Sequence, residues 1–315
     1  MAERDQFDRL NDAIDIVIAG RSLPAIDPEL ATLLLVAADL RDLPDPRFQS
    51  RLRTELIPNE EDIMETTAVA TSVRPYLIVE GATNLIAFLE QTFDAKVLLH
   101  VPTPDGKVMH AEVRVGDSIV EMGDSGEQWK PIAAPLHVYI ENVDEAYRRA
   151  IAAGATSLYA PMDQPYGDRE AGLTDRFGNE WFLATHLEGG PRPPGFATVT
   201  SGFRAAGAQR LLTFLQRAFG AVEVSRSASP SGEIGHAELR IGETMMELSE
   251  AHGQWKPTKG AFHLFVEDCD AVYEKAVRAG ATSIMPPENK PYGERQATVA
   301  DPSGNQWFIA TPIGT

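Results

Sequence analysis

The chain contains one stretch twice. Gly116 to Ile140 reads GDSIVEMGDSGEQWKPIAAPLHVYI, and Gly242 to Val266 reads GETMMELSEAHGQWKPTKGAFHLFV. Glu121 aligns with Glu247, Gln128-Trp129-Lys130-Pro131 with Gln254-Trp255-Lys256-Pro257, and His137 with His263, each pair 126 positions apart. A fixed period constrains a fold more than any single segment does, because both copies must form the same unit. The offset continues without a gap: Phe88 with Phe214, His110 with His236, Glu112 with Glu238, Arg169 with Arg295, Gly178-Asn179 with Gly304-Asn305, and Trp181-Phe182 with Trp307-Phe308. A period of this length is that of a domain rather than a solenoid. It gives one domain over 73–186 and a second over 199–315. The linker, 187–198, holds the Pro/Gly-rich run EGGPRPPG.

Residues 1–72 precede the repeats and read as a helical segment followed by an acidic linker. Phe7, Leu10, Ile14 and Val17 recur at helical spacing. Asp27-Pro28-Glu29 is a helix start, with Asp as N-cap and Pro at the first helical position. Pro44 and Pro46 break that helix, and Phe48, Leu52, Leu56 and Ile57 suggest a third.

The net charge of −18 argues against binding nucleic acid through its phosphates and against docking on anionic lipid, both of which need a basic patch. The longest apolar run, Ala31 to Ala38, is too short to span a membrane. A single cysteine, Cys269, excludes an internal disulfide and fits a reducing compartment. Its alignment with Val143 favours a buried apolar role. These readings give a cytoplasmic protein with neither nucleic acid nor membrane as partner.

Each repeat alternates strands and helices in the same order. In the first, strands are expected at 74–79, 96–101, 108–115, 118–122, 135–140, 156–160, 169–175 and 180–185. Helices are expected at 83–92 and 143–153, the latter stopping at Gly154. Carried on this frame are Gly106-Lys107-Val108-Met109-His110-Ala111-Glu112, His137 through Val143-Asp144, Ala153-Gly154-Ala155-Thr156, Tyr166-Gly167-Asp168-Arg169, and Asp175 with Phe177-Gly178-Asn179. In these residues the chain resembles the vicinal oxygen chelate superfamily of glyoxalase, bleomycin-resistance and extradiol dioxygenase proteins, and most of all its PhnB-like, glyoxalase-like branch. The resemblance covers both repeats. It implies an α+β fold of two tandem glyoxalase-like domains, each built of paired βαβββ modules whose sheets curl into half-open cups.

Strand alternation assigns the faces. Met109, Ala111, Val113 and Val115 share a helix-packed face, which leaves His110, Glu112 and Arg114 on the other. Leu136, Val138 and Ile140 face the helix, which turns His137 away from it. The second copy sends His236, Glu238 and His263 the same way. Glu121 ends an apolar strand, and Glu247 repeats it. A buried, unpaired carboxylate is costly, so each requires a partner: arginine, histidine, a metal or solvent. Whether Glu121 meets His137 or His263 is open, because the two histidines occupy equivalent positions.

The resemblance implies that the glutamates at Glu121 and Glu247 and the histidines at His137 and His263 stand where metal-using relatives place ligands. The remaining two ligand positions fall near Arg74 and Phe182 in one copy and near Thr200 and Phe308 in the other, and none of these is a good donor. His110 and His236 can complete a two-histidine, one-glutamate triad if the side chains converge. The cofactor reading is therefore either none or a divalent ion such as Fe, Mn, Ni, Co or Zn. Against it stands the commoner case of a hydrogen-bonded His–Glu pair in a binding cup.

Trp129 and Trp255 are expected either to line the cup mouths or to plug their loops. Arg169 and Arg295 either clamp an anionic ligand or pair with surface acids such as Asp168, Glu170 and Glu294. Tyr166 and Tyr292 are pocket walls or core. His100, His186 and His252 have no histidine counterpart and read as surface residues.

Three functions follow. The first is binding of a small molecule in the cups without metal, with His110, His137, His236, His263, Trp129, Trp255, Arg169 and Arg295 as ligand-binding residues. The second is a metal-dependent lyase, isomerase or dioxygenase acting on vicinal oxygens, with Glu121 and Glu247 as the catalytic carboxylates. The third is a non-catalytic scaffold whose N-terminal helices dock a partner. The shared polar residues suggest two similar cups, in a monomer with an internal pseudo-dimer or in a homodimer.

Overall fold

The structure, a computed structural model, describes residues 70–187 and 191–313. The helices expected within 1–72 lie outside the described residues. The first repeat forms β1 (Ser72–Val79), α1 (Ala82–Phe93), β2 (Lys96–Pro102), β3 (Val108–Val115), β4 (Ser118–Asp124), β5 (Pro135–Tyr139), α2 (Val143–Ala152), β6 (Thr156–Asp163), β7 (Asp168–Thr174) and β8 (Glu180–His186). The second forms β9 (Val199–Ala205), α3 (Ala208–Phe219), β10 (Val222–Ala228), β11 (Ile234–Ile241), β12 (Thr244–Glu250), β13 (Ala261–Phe265), α4 (Cys269–Arg278), β14 (Thr282–Lys290), β15 (Glu294–Ala300) and β16 (Gln306–Pro312). This is the α+β arrangement of four βαβββ modules expected from the repeat.

The starts of α1 and α3 are fixed by acids at the ends of the neighbouring strands, whereas Asn142 and Asp268 cap α2 and α4. Asp124 Oδ1 accepts from the backbone of Gly81 and Ala82 at 2.7 and 3.0 Å, and Glu250 does the same for Gly207 and Ala208. Each carboxylate thereby satisfies free N–H groups at a positive helix end. Gly81 and Gly207 enter these helices with φ of 90° and 84°, a conformation that costs glycine little.

The modules pair across the repeats. One eight-stranded sheet runs β14-β15-β16-β13-β1-β4-β3-β2 and the other β10-β11-β12-β9-β5-β8-β7-β6. Their seams are the antiparallel β1–β13 and β9–β5 pairs, with Arg74 opposite His263 and Thr200 opposite His137. The apolar cores, in contrast, lie almost wholly within repeats. Leu77, Leu85, Leu89, Val113, Leu136 and Trp181 belong to one core, and Phe203, Leu211, Leu215, Leu264 and Trp307 to the other. Each repeat is thus held by its core and stitched to its twin by its sheets.

One face assignment fails at a single residue. Ala111, Val113 and Val115 are buried as expected, but Met109 is 58% exposed and Val108 is buried instead. Between β2 and β3, Val101 pairs with His110 while Pro102 pairs with Val108, so Met109 is the extra residue of a bulge. A bulge exchanges the faces on its two sides. Gly235 is the matching bulge residue in the second repeat.

Residues 191–198 are tied down rather than loose. Phe196 is buried with Tyr139, Ala184 and Met245, and Arg192 pairs with Asp117. Cys269 is 1% exposed, with its Sγ 3.2 Å from the Ile309 carbonyl. Burial raises its thiol pKa to about 11, which leaves it inert at neutral pH.

Candidate functional site

Crosswise pairing builds two cups, each from one module of either repeat. Cup I joins β1–β4 to β13–β16, and cup II joins β9–β12 to β5–β8. The open pairing question therefore resolves across the repeats. In cup I, Glu121 Oε2 lies 2.7 Å from His263 Nδ1. In cup II, Glu247 Oε1 lies 2.9 Å from His137 Nδ1. Alternation turns these side chains from the core, and the histidines lie against the next cup residue of their strands. His137 stacks on Tyr139 at 4.5 Å, and His263 lies 4.2 Å from Phe265 between ring centroids.

Beyond that shared pair the cups differ. In cup I, Arg74 Nη1 donates to Glu121 Oε1 at 2.9 Å, lies 3.5 Å from Glu112 and sits over the Phe265 ring at 4.7 Å. Glu121 thus has both oxygens engaged, and its side chain is 1% exposed. Next on the same strand face, Tyr76 packs on Phe308 at 5.1 Å, and its hydroxyl lies 3.3 Å from His110 Nδ1. Ile78, Ala261 and Phe308 are buried beneath Trp129, so Trp129 acts as a plug.

In cup II the positions of Arg74, Tyr76 and Ile78 carry Thr200, Gly202 and Arg204. Here a cavity of about 250 Å³ opens, lined among others by His137, Phe182, Gly202, Arg204, Glu247 and Trp255. Trp255 lies 6.0 Å from Phe182, with the Arg204 guanidinium 5.1 Å from the centre of its ring. Arg204 itself pairs with Glu180. His236 also lines the cavity. The expectation of two similar cups is thus corrected: one is filled by its own strand and the other is open.

The Nε2 atoms of His137 and His263 are buried without a hydrogen-bond partner, with Glu170 and Glu294 at 3.9 and 3.5 Å respectively. Burial opposes ionisation of Glu121, but His263 and Arg74 outweigh it and hold the carboxyl below its usual range. Burial likewise opposes the His263 imidazolium, yet Glu121 and Glu294 raise its pKa to about 9. His137 shifts upward too, with burial overcome mainly by Glu247. In both dyads the shifts of histidine and glutamate favour the ionic form.

A pH dependence of stability follows from His263. Its folded pKa lies above the unfolded value, so the interaction stabilises fully below about pH 6.5 and is lost as pH rises through about 9. Chemical denaturation at pH 6.5 and pH 10 should differ by on the order of 3 kcal/mol through this group. A stability that is flat over the interval would show that His263 is not charged in the fold.

The structure separates the remaining sequence candidates. Arg169 bonds Asp144 at 2.7 and 2.8 Å and Asp163 at 2.8 Å, and Arg295 bonds Asp270 and Asn289. Asp144 and Asp270 belong to helices packed on the outer face, so neither arginine reaches a cup. The acids proposed as their partners face inward instead. Glu170 accepts from Tyr166 at 2.9 Å and from Tyr159, while Asp168 lies 2.6 Å from His186 Nδ1. His186 is therefore a half-buried cup-side group rather than a surface one, whereas His100 and His252 are exposed. The Tyr166 and Tyr292 rings are about 60% exposed and act as rim residues. Sequence alone offers Glu170 and Asp168 only as surface partners of Arg169 and passes over Arg204; their counterparts are Gln296, Glu294 and Ile78, and a search for shared residues gives such differing positions no cup role.

His110 is engaged with Tyr76 and Glu112, and His236 points from the exposed rim. Among the described residues no group of three His, Cys, Asp or Glu side chains is placed to hold a metal ion. The triad expected from Glu121, His263 and His110, or from Glu247, His137 and His236, does not converge. In cup I the Arg74 guanidinium occupies the carboxylate that a cation would need.

Two βαβββ sheets with a His–Glu pair at each seam define a vicinal-oxygen-chelate type of protein. The chain belongs to the Glyoxalase/Bleomycin resistance protein/Dioxygenase superfamily, whose family model matches residues 70–183 and again 199–309. It is 35% identical over 126 residues to an uncharacterized protein of Mycobacterium tuberculosis, covering 36% of this chain and 74% of that one. An uncharacterized Mycobacterium bovis protein matches equally over 36% and 83% of the two chains. The fold is similar to that of glyoxalase I from Zea mays, with a TM-score of 0.59 at 18% identity over 76% of this chain and 93% of that one. No helix among the described residues is long and apolar enough to cross a membrane.

Proposed function

We propose that the protein binds a small molecule with an aromatic body in cup II, without a metal ion. The observation that carries this reading is the cavity between Phe182, Trp255, His137 and Glu247. Its volume, about 250 Å³, is just below the roughly 300–1,000 Å³ common for ligand sites and suits a one- or two-ring compound. Trp255 and Phe182 offer faces for stacking. Glu247, held through Oε1 by His137 Nδ1, offers a fixed carboxylate acceptor to a ligand donor.

The metal-dependent reading needs more donors than cup II supplies. Thr200 and Phe182 stand at the two further ligand positions that the superfamily implies. A neutral hydroxyl and a phenyl ring do not complete a site with one histidine and one glutamate.

A thermal-shift screen of a small-molecule library against the wild-type chain and Gly202→Tyr tests the proposal. Binders are expected to raise the melting temperature of the wild type by a few degrees at concentrations well above Kd. The same compounds should have no effect on Gly202→Tyr. A Cβ at Gly202 would make only ordinary contacts, with the Pro135 carbonyl at 3.7 Å, so this variant should fold. Binders that stabilise both proteins equally would place their site outside cup II.

A further inference from the structure

The two cups are one design with different contents, so the filled cup describes what the open one is shaped to receive. In cup I the chain supplies both occupants from alternate positions of β1. Tyr76 puts an aromatic ring on Phe308 beside His110, and Arg74 puts a planar cation on Glu121. Their Cα atoms are about 7 Å apart along the strand, close to the length of a single-ring compound with a polar head. Cup II keeps the receiving groups: Phe182 for Phe308, His236 for His110, Glu247 for Glu121 and Glu238 for Glu112. It lacks both occupants, having Gly202 for Tyr76 and Thr200 for Arg74. Thr200 is too short to reach Glu247, and its buried Oγ1 makes no hydrogen bond.

Charge follows the same pattern. Glu121 is in direct contact with two cationic partners, whereas Glu247 contacts His137 alone among the described residues, with His236 acting on it only at longer range, and is 18% exposed where Glu121 is 1%. The other cation of cup II, Arg204, is committed to Glu180 beneath Trp255. Glu247, facing the cavity, therefore lacks the direct guanidinium contact that Arg74 gives its twin.

We propose that Arg74 and Tyr76 are a built-in ligand of cup I, and that cup II takes the equivalent from solution: a small aromatic compound with an amidinium or guanidinium head that pairs with Glu247. This rests on the small-molecule reading above and adds the ligand's charge and the count of one site per chain. An amidinium N–H donating to Glu247 would repeat the charge-assisted bond that Arg74 Nη1 makes to Glu121 Oε1. The aromatic body fills the space that Tyr76 takes in cup I.

The test is calorimetric titration of the full chain with benzamidine, its neutral analogue benzamide and the anion benzoate. One benzamidine per chain is expected, bound at least about tenfold more tightly than benzamide, since a hydrogen bond to a charged group contributes about 1.5–3 kcal/mol. Benzoate should bind more weakly still. Glu247→Gln keeps the shape of the cup and should weaken benzamidine by at least about tenfold, and by more than it weakens benzamide, and Gly202→Tyr should abolish binding of both. Benzamide or benzoate binding as well as benzamidine would overturn the cationic ligand while sparing the small-molecule reading. Two equivalent benzamidines per chain, or binding undiminished in Gly202→Tyr, would overturn the assignment of cup I as self-filled. If benzamidine fails to bind up to millimolar concentration while the library screen yields cup II ligands, the charge claim alone falls. If both fail, the two readings fall together.

Discussion

Glu121→Ala is expected to destabilise the protein by about 3–5 kcal/mol, the cost of breaking a buried ion pair by removing one partner. Glu247→Ala should cost clearly less. Both glutamates sit in the middle of a strand, where the sequence reading placed them at its end, and both pair with a histidine across the seam, so sequence alone ranks them equally. The difference lies in what surrounds them. Glu121 is enclosed, and it is the shared counter-ion of Arg74 and His263. Its loss leaves two cations facing each other across the β1–β13 seam. His263 can relieve this by releasing its proton, but Arg74 cannot. Glu247 has one partner, and water can reach its site through the open cavity. Denaturation midpoints of the two variants in the same buffer check the ranking. Equal and small losses would mean that the Arg74–Glu121–His263 cluster does not hold the seam.

Trp307→Ala should cost about 3–5 kcal/mol, and the whole two-repeat unit should lose that stability in one transition. Trp307 is fully buried, lies 4.5–6.0 Å from the rings of Phe219, Phe262 and Phe203, and donates to Asp301 Oδ2 at 3.1 Å. Truncation removes this packing and leaves a buried carboxylate short of a donor. Trp307→Phe keeps much of the packing but loses the hydrogen bond and part of the indole volume, so it should cost less than Trp307→Ala. Each sheet contains a module from either repeat, so damage to the second repeat's core cannot stay local. Differential scanning calorimetry should record one lowered peak. Two separate peaks, with only one displaced, would contradict a unit stitched across repeats.

Much of the fold was legible because the sequence states it twice. Strands and helices followed from apolar periodicity, and the 126-residue offset made each assignment answer to a second copy. Met109 was misplaced because a bulge adds one residue without changing composition: Val108 and Met109 are both apolar, and only the register between β2 and β3 shows which one turns inward. The partner of Glu121 was illegible for a different reason. His137 and His263 are equivalent by the repeat, and only the assembled seams distinguish them.

The repeat that revealed the site also hid its most informative part. Glu121, His137 and their copies stood out by identity. Arg74 against Thr200, Tyr76 against Gly202, and Glu170 against Gln296 differ between copies, and these positions decide which cup is open. The arginines at 169 and 295 were shared and therefore conspicuous, yet they serve the helices on the outer face. Identity between the copies marked what both modules need to fold and pair, while divergence marked where their contents parted.

The most direct measurement is a crystallographic survey of the chain soaked with a library of one- and two-ring aromatic fragments. The account predicts fragment density in cup II, against Phe182 or Trp255 and within hydrogen-bond distance of Glu247, with Tyr76 remaining in place in cup I. Fragments that cluster elsewhere, or that displace Tyr76 and occupy cup I while cup II stays free of them, would contradict it.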